Sequence, residues 1–163
     1  MTSVVNTKFA VKPVTAALAL ALSAGAAFAA PTPNQMPGAG TVLDISLGGS
    51  TTAGAKGASL VGLISGGTIG VDGKVVLRWG GPGAPVDATN PQGFNLGSNA
   101  TLNFNSTLAG SAVLNIDASG NPSQIYGNLI STAAVGVAVG PLPAAPGGFA
   151  PAIFVSNANG IVV

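Results

Sequence analysis

Residues 94–129 read FNLGSNATLNFNSTLAGSAVLNIDASGNPSQIYGNL, and the way this stretch alternates decides the fold. Ala100, Leu102 and Phe104 fall on one face while Thr101, Asn103 and Asn105 fall on the other. Ala112, Leu114 and Ile116 likewise oppose Val113, Asn115 and Asp117. A period of two is the mark of short β-strands, whose successive side chains point to opposite faces. Asn, Gly and Ser separate the runs, and these residues suit turns.

Toward the N-terminus, residues 68–71, then Asp72-Gly73, then 74–79 predict strand, tight turn and strand, because Asp-Gly readily takes the positive φ angles of a two-residue hairpin. Val75, Leu77 and Trp79 share one face. Residues 80–93, GGPGAPVDATNPQG, predict a long loop. Residues 41–47 predict a first strand, with Leu43, Ile45 and Leu47 opposite Val42, Asp44 and Ser46, ended by Gly48-Gly49-Ser50. Between them, residues 60–64 are the one apolar segment of a small, Gly-rich region and read as strand rather than short helix. Residues 30–40, APTPNQMPGAG, contain three prolines that cannot donate to a ladder and predict an extended or mobile leader. Toward the C-terminus, residues 133–139 alternate Val with Ala or Gly, as expected of a strand packed on both faces. A Pro/Gly loop follows over 141–151. Residues 152–155 and 161–163 read as final strands flanking the turn Ser156-Asn157-Ala158-Asn159-Gly160.

Many short strands broken by Asn/Gly turns suit an all-β sandwich or a parallel β-helix. The solenoid is favoured because hairpin signals are missing between most strands. At roughly 20 to 25 residues per coil the chain would make about six coils. A solenoid needs its ends capped, and the sequence stops inside a strand signal at Val163 with no polar cap. The expectation is therefore an all-β, parallel β-helical chain that is incomplete at its C-terminal end.

Composition narrows the function. Charged residues are 6% of the chain, with 25 Gly and 12 Pro and a mean hydropathy of +0.58, against about 25% charge in ordinary soluble domains. Disordered segments are poor in aliphatics and rich in charge, the reverse of this chain. With neither Cys nor His, thiol nucleophiles, thiolate metal sites and imidazole bases are absent. The only acids are Asp44, Asp72, Asp87 and Asp117, scattered over turn-like positions. This set offers poor material for a general acid/base pair, and no enzyme, metal or cofactor is expected. Lys8 and Lys12 precede an apolar run over 14–22 that ends in Ala27-Phe28-Ala29, which reads as a secretory signal peptide over residues 1–29. The run is shorter than the ~20 residues needed to span a bilayer, so no stable membrane span is expected. Past Ala29, Lys56, Lys74 and Arg78 face the four Asp. A near-neutral chain of this kind has no basic patch for nucleic acid.

Several local patterns carry little. Asp117-Ala118-Ser119-Gly120-Asn121 places its Gly too early for an EF-hand loop and reads as a turn. Gly73-Lys74 lacks the preceding Gly and following Ser/Thr of a phosphate loop. Trp79, Phe94 and Phe104 read as core filling ahead of a sugar-stacking platform. The sequons at Asn99 and Asn105 are patterns that a Thr/Asn-rich strand generates by chance.

Five elements occur in order: Lys74-Val75-Val76-Leu77-Arg78-Trp79, then Phe94-Asn95-Leu96-Gly97 with 100–104, then 111–116, then Gly120-Asn121-Pro122-Ser123-Gln124-Ile125-Tyr126-Gly127, and finally 153–161, IFVSNANGI. Together they resemble the N-terminal secretion domain of filamentous haemagglutinin-type exoproteins of two-partner secretion. That family has a strand ending in Trp, an FNIG-like segment, a VLN strand, an NPSQI-G turn and a hydrophobic strand leading to an NPNGI turn. Residues 80–93 and 132–151 lengthen two connections relative to the family, and Ala158 stands where its Pro is expected. The resemblance implies a right-handed parallel β-helix over 41–163, preceded by the leader at 30–40. It also implies passage through the periplasm and export by an outer-membrane barrel transporter with periplasmic recognition domains. The activity would be that of a non-enzymatic secretion module of a large surface adhesin or contact-dependent toxin carrier, with a host or neighbouring-cell receptor beyond it. By resemblance, Asn121, Pro122, Ser123 and Gln124, and Asn157, Ala158, Asn159, Gly160 and Ile161, are the turns that meet the transporter or nucleate folding. Read from residue chemistry alone, both motifs are first structural turns or an Asn stack. The alternative function is a stand-alone, self-assembling surface or amyloid-like protein, since neutral exposed strands template edge pairing.

Overall fold

The computed structural model describes residues 28–45, 48–134 and 149–163. The signal-peptide reading over 1–29 apart from its last two residues, the end of the first strand at Ser46 and Leu47, most of the alternation at 133–139 and most of the loop at 141–151 lie outside them. Within them the chain is mostly strand with almost no helix: β1 Gly40–Asp44, β2 Ser50–Thr51, β3 Thr68–Asp72, β4 Lys74–Trp79, β5 Thr101–Ser106, β6 Ala112–Asp117, β7 Ser123–Gln124, β8 Asn128–Ala133, β9 Ala152–Asn157 and β10 Ile161–Val162. A single 3₁₀ turn covers Ile64–Gly66. The all-β expectation is met, and the sheets are not closed.

The strands form two four-stranded sheets, ordered β1-β4-β6-β9 and β2-β3-β5-β8, and a two-stranded sheet of β7 and β10. In the larger sheets the last three strands are parallel and the first is antiparallel. β7 and β10 are parallel, and Leu96 bridges Ile125 in the same sense. Register partners stand 27 apart at Thr101 and Asn128 and 40 apart at Asn115 and Val155. These separations exceed the 20 to 25 expected from the turns, because the loops between strands are longer than the turn residues that mark them.

The Asp72-Gly73 hairpin is not formed. β3 and β4 belong to different sheets, so Asp72-Gly73 is a corner. Gly73 turns it with φ of 70°, a left-handed conformation that costs glycine little. A Cβ there would lie 2.8 Å from the carbonyl oxygen of Gly48. The Asp72 carboxylate ties the corner to the next one, accepting from Ser106 Oγ at 2.8 Å, Thr107 N at 2.8 Å and Thr107 Oγ1 at 3.0 Å. Burial pushes its pKa up, but the bonds from Ser106 and Thr107 outweigh this and leave it below the ordinary carboxylate value.

Two further expectations are corrected. Residues 60–64 form turns leading into the 3₁₀ segment, not a strand, because Leu60 and Ile64 fill the core from the two ends of a tight bend. The leader is packed rather than mobile. Gly97 N donates to Gln35 O at 2.9 Å, Asn99 N to Pro33 O at 2.7 Å and Gly38 N to Gly93 O at 3.0 Å. Gln35 and Ala39 are buried. Proline removes a donor but leaves the carbonyl, so this segment accepts bonds from the segment around Gly97.

Val75, Leu77 and Trp79 on β4, and Ala100, Leu102 and Phe104 at β5, point inward as their alternation indicates. Each fully buried aliphatic or Phe side chain contributes about 1.5–3 kcal/mol. Trp79, Phe94 and Phe104 are all buried and therefore fill the core; the first two rings lie 5.4 Å apart with planes tilted by 55°. In β1, Val42 faces inward and Leu43 outward, with a register shift between Val42 and Asp44 that marks a bulge.

Candidate functional site

β6 carries the least expected arrangement. Its apolar set Ala112, Leu114 and Ile116 is only half-buried, while Val113, Asn115 and Asp117 face the interior. The parallel register sets Asp117 beside Trp79 and Asn157, and Asn115 beside Leu77 and Val155, so parity on β6 is fixed by β4 and β9 rather than by its own hydropathy. A buried polar side chain must be hydrogen-bonded to be tolerated, and both are. Asn115 Oδ1 accepts from Trp79 Nε1 at 3.0 Å and Asn115 Nδ2 donates to Phe154 O at 3.2 Å, linking β4, β6 and β9. Asp117 accepts from Phe94 N at 2.9 Å, Ser119 N at 3.0 Å and Ser123 Oγ at 2.7 Å.

Asp117 is the base on which the two Asn turns are built. Ser123, held by Asp117, also receives Asn157 Nδ2 at 2.9 Å, and the same Nδ2 donates to Asn121 O at 2.8 Å. Asn157 Oδ1 accepts from Asn159 N at 2.7 Å, an Asx turn that bends the chain at Ala158. Ser123 N donates to Gly160 O at 3.1 Å and Ile125 N to Val162 O at 2.8 Å, the ladder between β7 and β10. Gln124 lies between Asn95 and Ala29, the last residue of the expected signal peptide, with Asn95 Oδ1 accepting from its backbone N at 3.0 Å and its Nε2 donating to Ala29 O at 3.2 Å. All nine residues of the two sequence motifs thus fall in one corner. Ser123 and Gln124 are buried, Pro122 and Asn157 half-buried, and Asn121, Ala158, Asn159, Gly160 and Ile161 exposed.

A groove of about 340 Å³ opens beside this corner, lined among others by Phe28, Gln35, Gln92, Asn95, Asn121 and Gln124. Its polar side chains are the amides of Gln35, Gln92, Asn95, Asn121 and Gln124 and the hydroxyl of Thr32, suited to hydrogen-bonding an extended backbone. Among the described residues no three acids come together as a cation site, and no helix is long and apolar enough to cross a membrane.

Sequence reasoning missed Asn95, Asn115 and Asp117 as members of this corner. The available signal was the polar parity of β6 itself, but which parity faces inward depends on a register that spans 36 or more residues. No model of a known protein family matches the chain, and neither a curated protein nor a solved structure matches it.

Proposed function

We propose that this chain is a non-enzymatic secretion and folding module of a large bacterial surface or secreted adhesin, or of a contact-dependent toxin carrier. It passes through the periplasm and is recognised by an outer-membrane barrel transporter with periplasmic recognition domains. The single observation that carries this reading is the stacking of the Asn157 turn on the Asn121 turn through Asn157 Nδ2, with the outer residues of both left exposed. A pair of turns stacked on one corner gives a recognition domain one contiguous amide-rich surface.

The reading extends to a right-handed parallel β-helix. Support comes from three series of parallel pairs, β3-β5-β8, β4-β6-β9 and β7-β10, in which each strand hydrogen-bonds to its neighbours in the series, so that folding can propagate from one to the next. A chain without Cys also cannot be locked by periplasmic disulfides before threading a pore. The second reading, a self-assembling surface protein, draws on Ile130, Phe154, Ile161 and Val162, all more than a third exposed on the last strands.

The test is export. Asn157→Ala with Asn159→Ala is compared with Pro122→Ala in cells that carry a candidate transporter, with folding checked by circular dichroism. Pro122 makes no side-chain hydrogen bond, so its replacement leaves the bonds that build the corner in place. Loss of surface export from variants that still fold supports the proposal, and unchanged export from both sinks it.

A further inference from the structure

We infer that the Asn159-Gly160 turn is a site of covalent self-modification, at which Asn159 loses ammonia through a succinimide ring and becomes aspartate or isoaspartate. The inference goes beyond the export reading and does not rest on it. Asn159-Gly160 is the one Asn-Gly pair in the sequence. The reaction needs the backbone nitrogen of the following residue to reach the Asn Cγ, and glycine, with no Cβ, leaves that approach open. Both residues are exposed. Gly160 has φ of 98°, with open space where a Cβ would stand. Its N–H donates to Asn157 O at 3.3 Å, longer than an ordinary backbone bond. Among the described residues no hydrogen bond holds the Asn159 side-chain amide; its backbone N alone is tied, to Asn157 Oδ1. This exposure belongs to the tip of the corner and not to its place in the stack. Gly120 and Asn121 are exposed as well, although the Asn157 turn lies on them.

In the first step Gly160 N attacks Asn159 Cγ and passes its proton to water, while the Cγ–Nδ2 bond breaks and the nitrogen leaves as ammonia. Water then opens the ring at either carbonyl and leaves a carboxylate. The net change is one water added and one ammonia lost. Other pairs are closed to this route. Asn121 precedes Pro122, which has no N–H, and Asn157 has both side-chain polar atoms bonded. Asp72-Gly73 forms the same ring by losing water, but three bonds hold the Asp72 carboxylate and Gly73 N donates to Ser111 Oγ at 2.9 Å. The consequence at the corner is specific. Isoaspartate adds a Cβ to the backbone just before Gly160, whose carbonyl accepts from Ser123 N while that of Val162 accepts from Ile125 N. The register of β10 on β7 is therefore lost, and a carboxylate enters a rim of Asn121, Pro122 and Ala158 that carries no charge.

The experiment is peptide mapping by mass spectrometry of the whole chain aged in mildly alkaline buffer, folded and in urea, with isoaspartate read at both glycine pairs. The expected result is that Asn159 reacts in the folded chain within about tenfold of its rate in urea, whereas folding slows the change at Asp72 at least about tenfold. Asn159→Gln keeps the turn glycine and removes the reaction, with circular dichroism confirming that it folds. In the isoaspartyl chain, amide hydrogen exchange shows lost protection at Ser123 and Ile125. No reaction at Asn159 in the folded chain, equal slowing of both pairs, or an isoaspartyl chain with Ser123 and Ile125 still protected would each overturn the inference.

Discussion

Replacing Asn115 with Ala tests the polar interior most sharply. The substitution removes the acceptor of Trp79 Nε1 and the donor to Phe154 O together. Trp79 is fully buried, and an orphaned buried donor costs about 1–3 kcal/mol. The lost bond to β9 adds about 0.5–1.5 kcal/mol, and the space left by a side chain at 0% exposure adds a smaller cavity term. The total is about 2–4 kcal/mol. With an m-value near 2 kcal/mol/M, the urea midpoint falls by roughly 1–2 M. Trp79 is the only tryptophan, so its emission reports unfolding of this site directly. The control is Trp79→Phe, which deletes the donor. In that background Asn115→Ala loses the orphan penalty and costs about 1–3 kcal/mol less, read by circular dichroism. A loss under about 0.5 kcal/mol for Asn115→Ala in the wild-type chain, below any single term above, would refute the reasoning.

Asn157→Ala breaks two hydrogen bonds to the neighbouring turn and is expected to cost about 1–2 kcal/mol in urea denaturation. Gly127→Ala drives a methyl group into the carbonyl oxygens of Gly97 and Ala100. Backbone cannot yield as a side chain can, so a loss of about 3 kcal/mol or more, or failure to fold, is expected. Asp72 and Asp87 give a pH dependence. At Asp87, burial acts against the charged form, but N–H groups of Asn90, Thr89 and Ala39 outweigh it. Both folded pKa values lie below the reference of 3.8, so their stabilisation is complete above that value and is lost as pH falls below it toward the folded values. Urea midpoints between pH 6 and 2.5, a window about the reference value, should decline at the acid end, and less steeply in Asp72→Asn.

Strands whose own hydropathy points one way were legible. β4 and β5 bury the residues that their alternation marks, and the loop after Trp79 follows from its Gly and Pro. What escaped was decided by distant partners. Asp72-Gly73 has the chemistry of a hairpin, but whether its flanking strands pair with each other or with strands farther along the chain is not written in two residues. β6 shows Leu114 and Ile116 on one side and two polar residues on the other, so local hydropathy argues for the wrong inner face. Parallel pairing with β4, and the bonds from Trp79 Nε1, Phe94 N and Ser123 Oγ, reverse it. The leader looked free because proline cannot donate, yet its carbonyls accept. Both Asn motifs were readable as turns or as an Asn stack, and Asn157 does reach Asn121; what local sequence does not reveal is that Asp117 and Asn95 complete the same corner.

The most direct test joins register to export. Thr101 and Asn128 are paired across the parallel strands β5 and β8 and are both exposed, at a spacing of about 4.8 Å that a disulfide can bridge. Thr101→Cys/Asn128→Cys, in a chain with no other cysteine, is followed in cells with the transporter, with and without a reductant that reaches the periplasm. In the purified folded protein, stacked parallel strands predict a disulfide for Thr101→Cys/Asn128→Cys and none for Thr101→Cys/Leu129→Cys; in cells, a chain threaded unfolded is held in the periplasm by a disulfide of the first pair until it is reduced. Export of the oxidised Thr101→Cys/Asn128→Cys chain, or no disulfide between those positions in the folded protein, would contradict it.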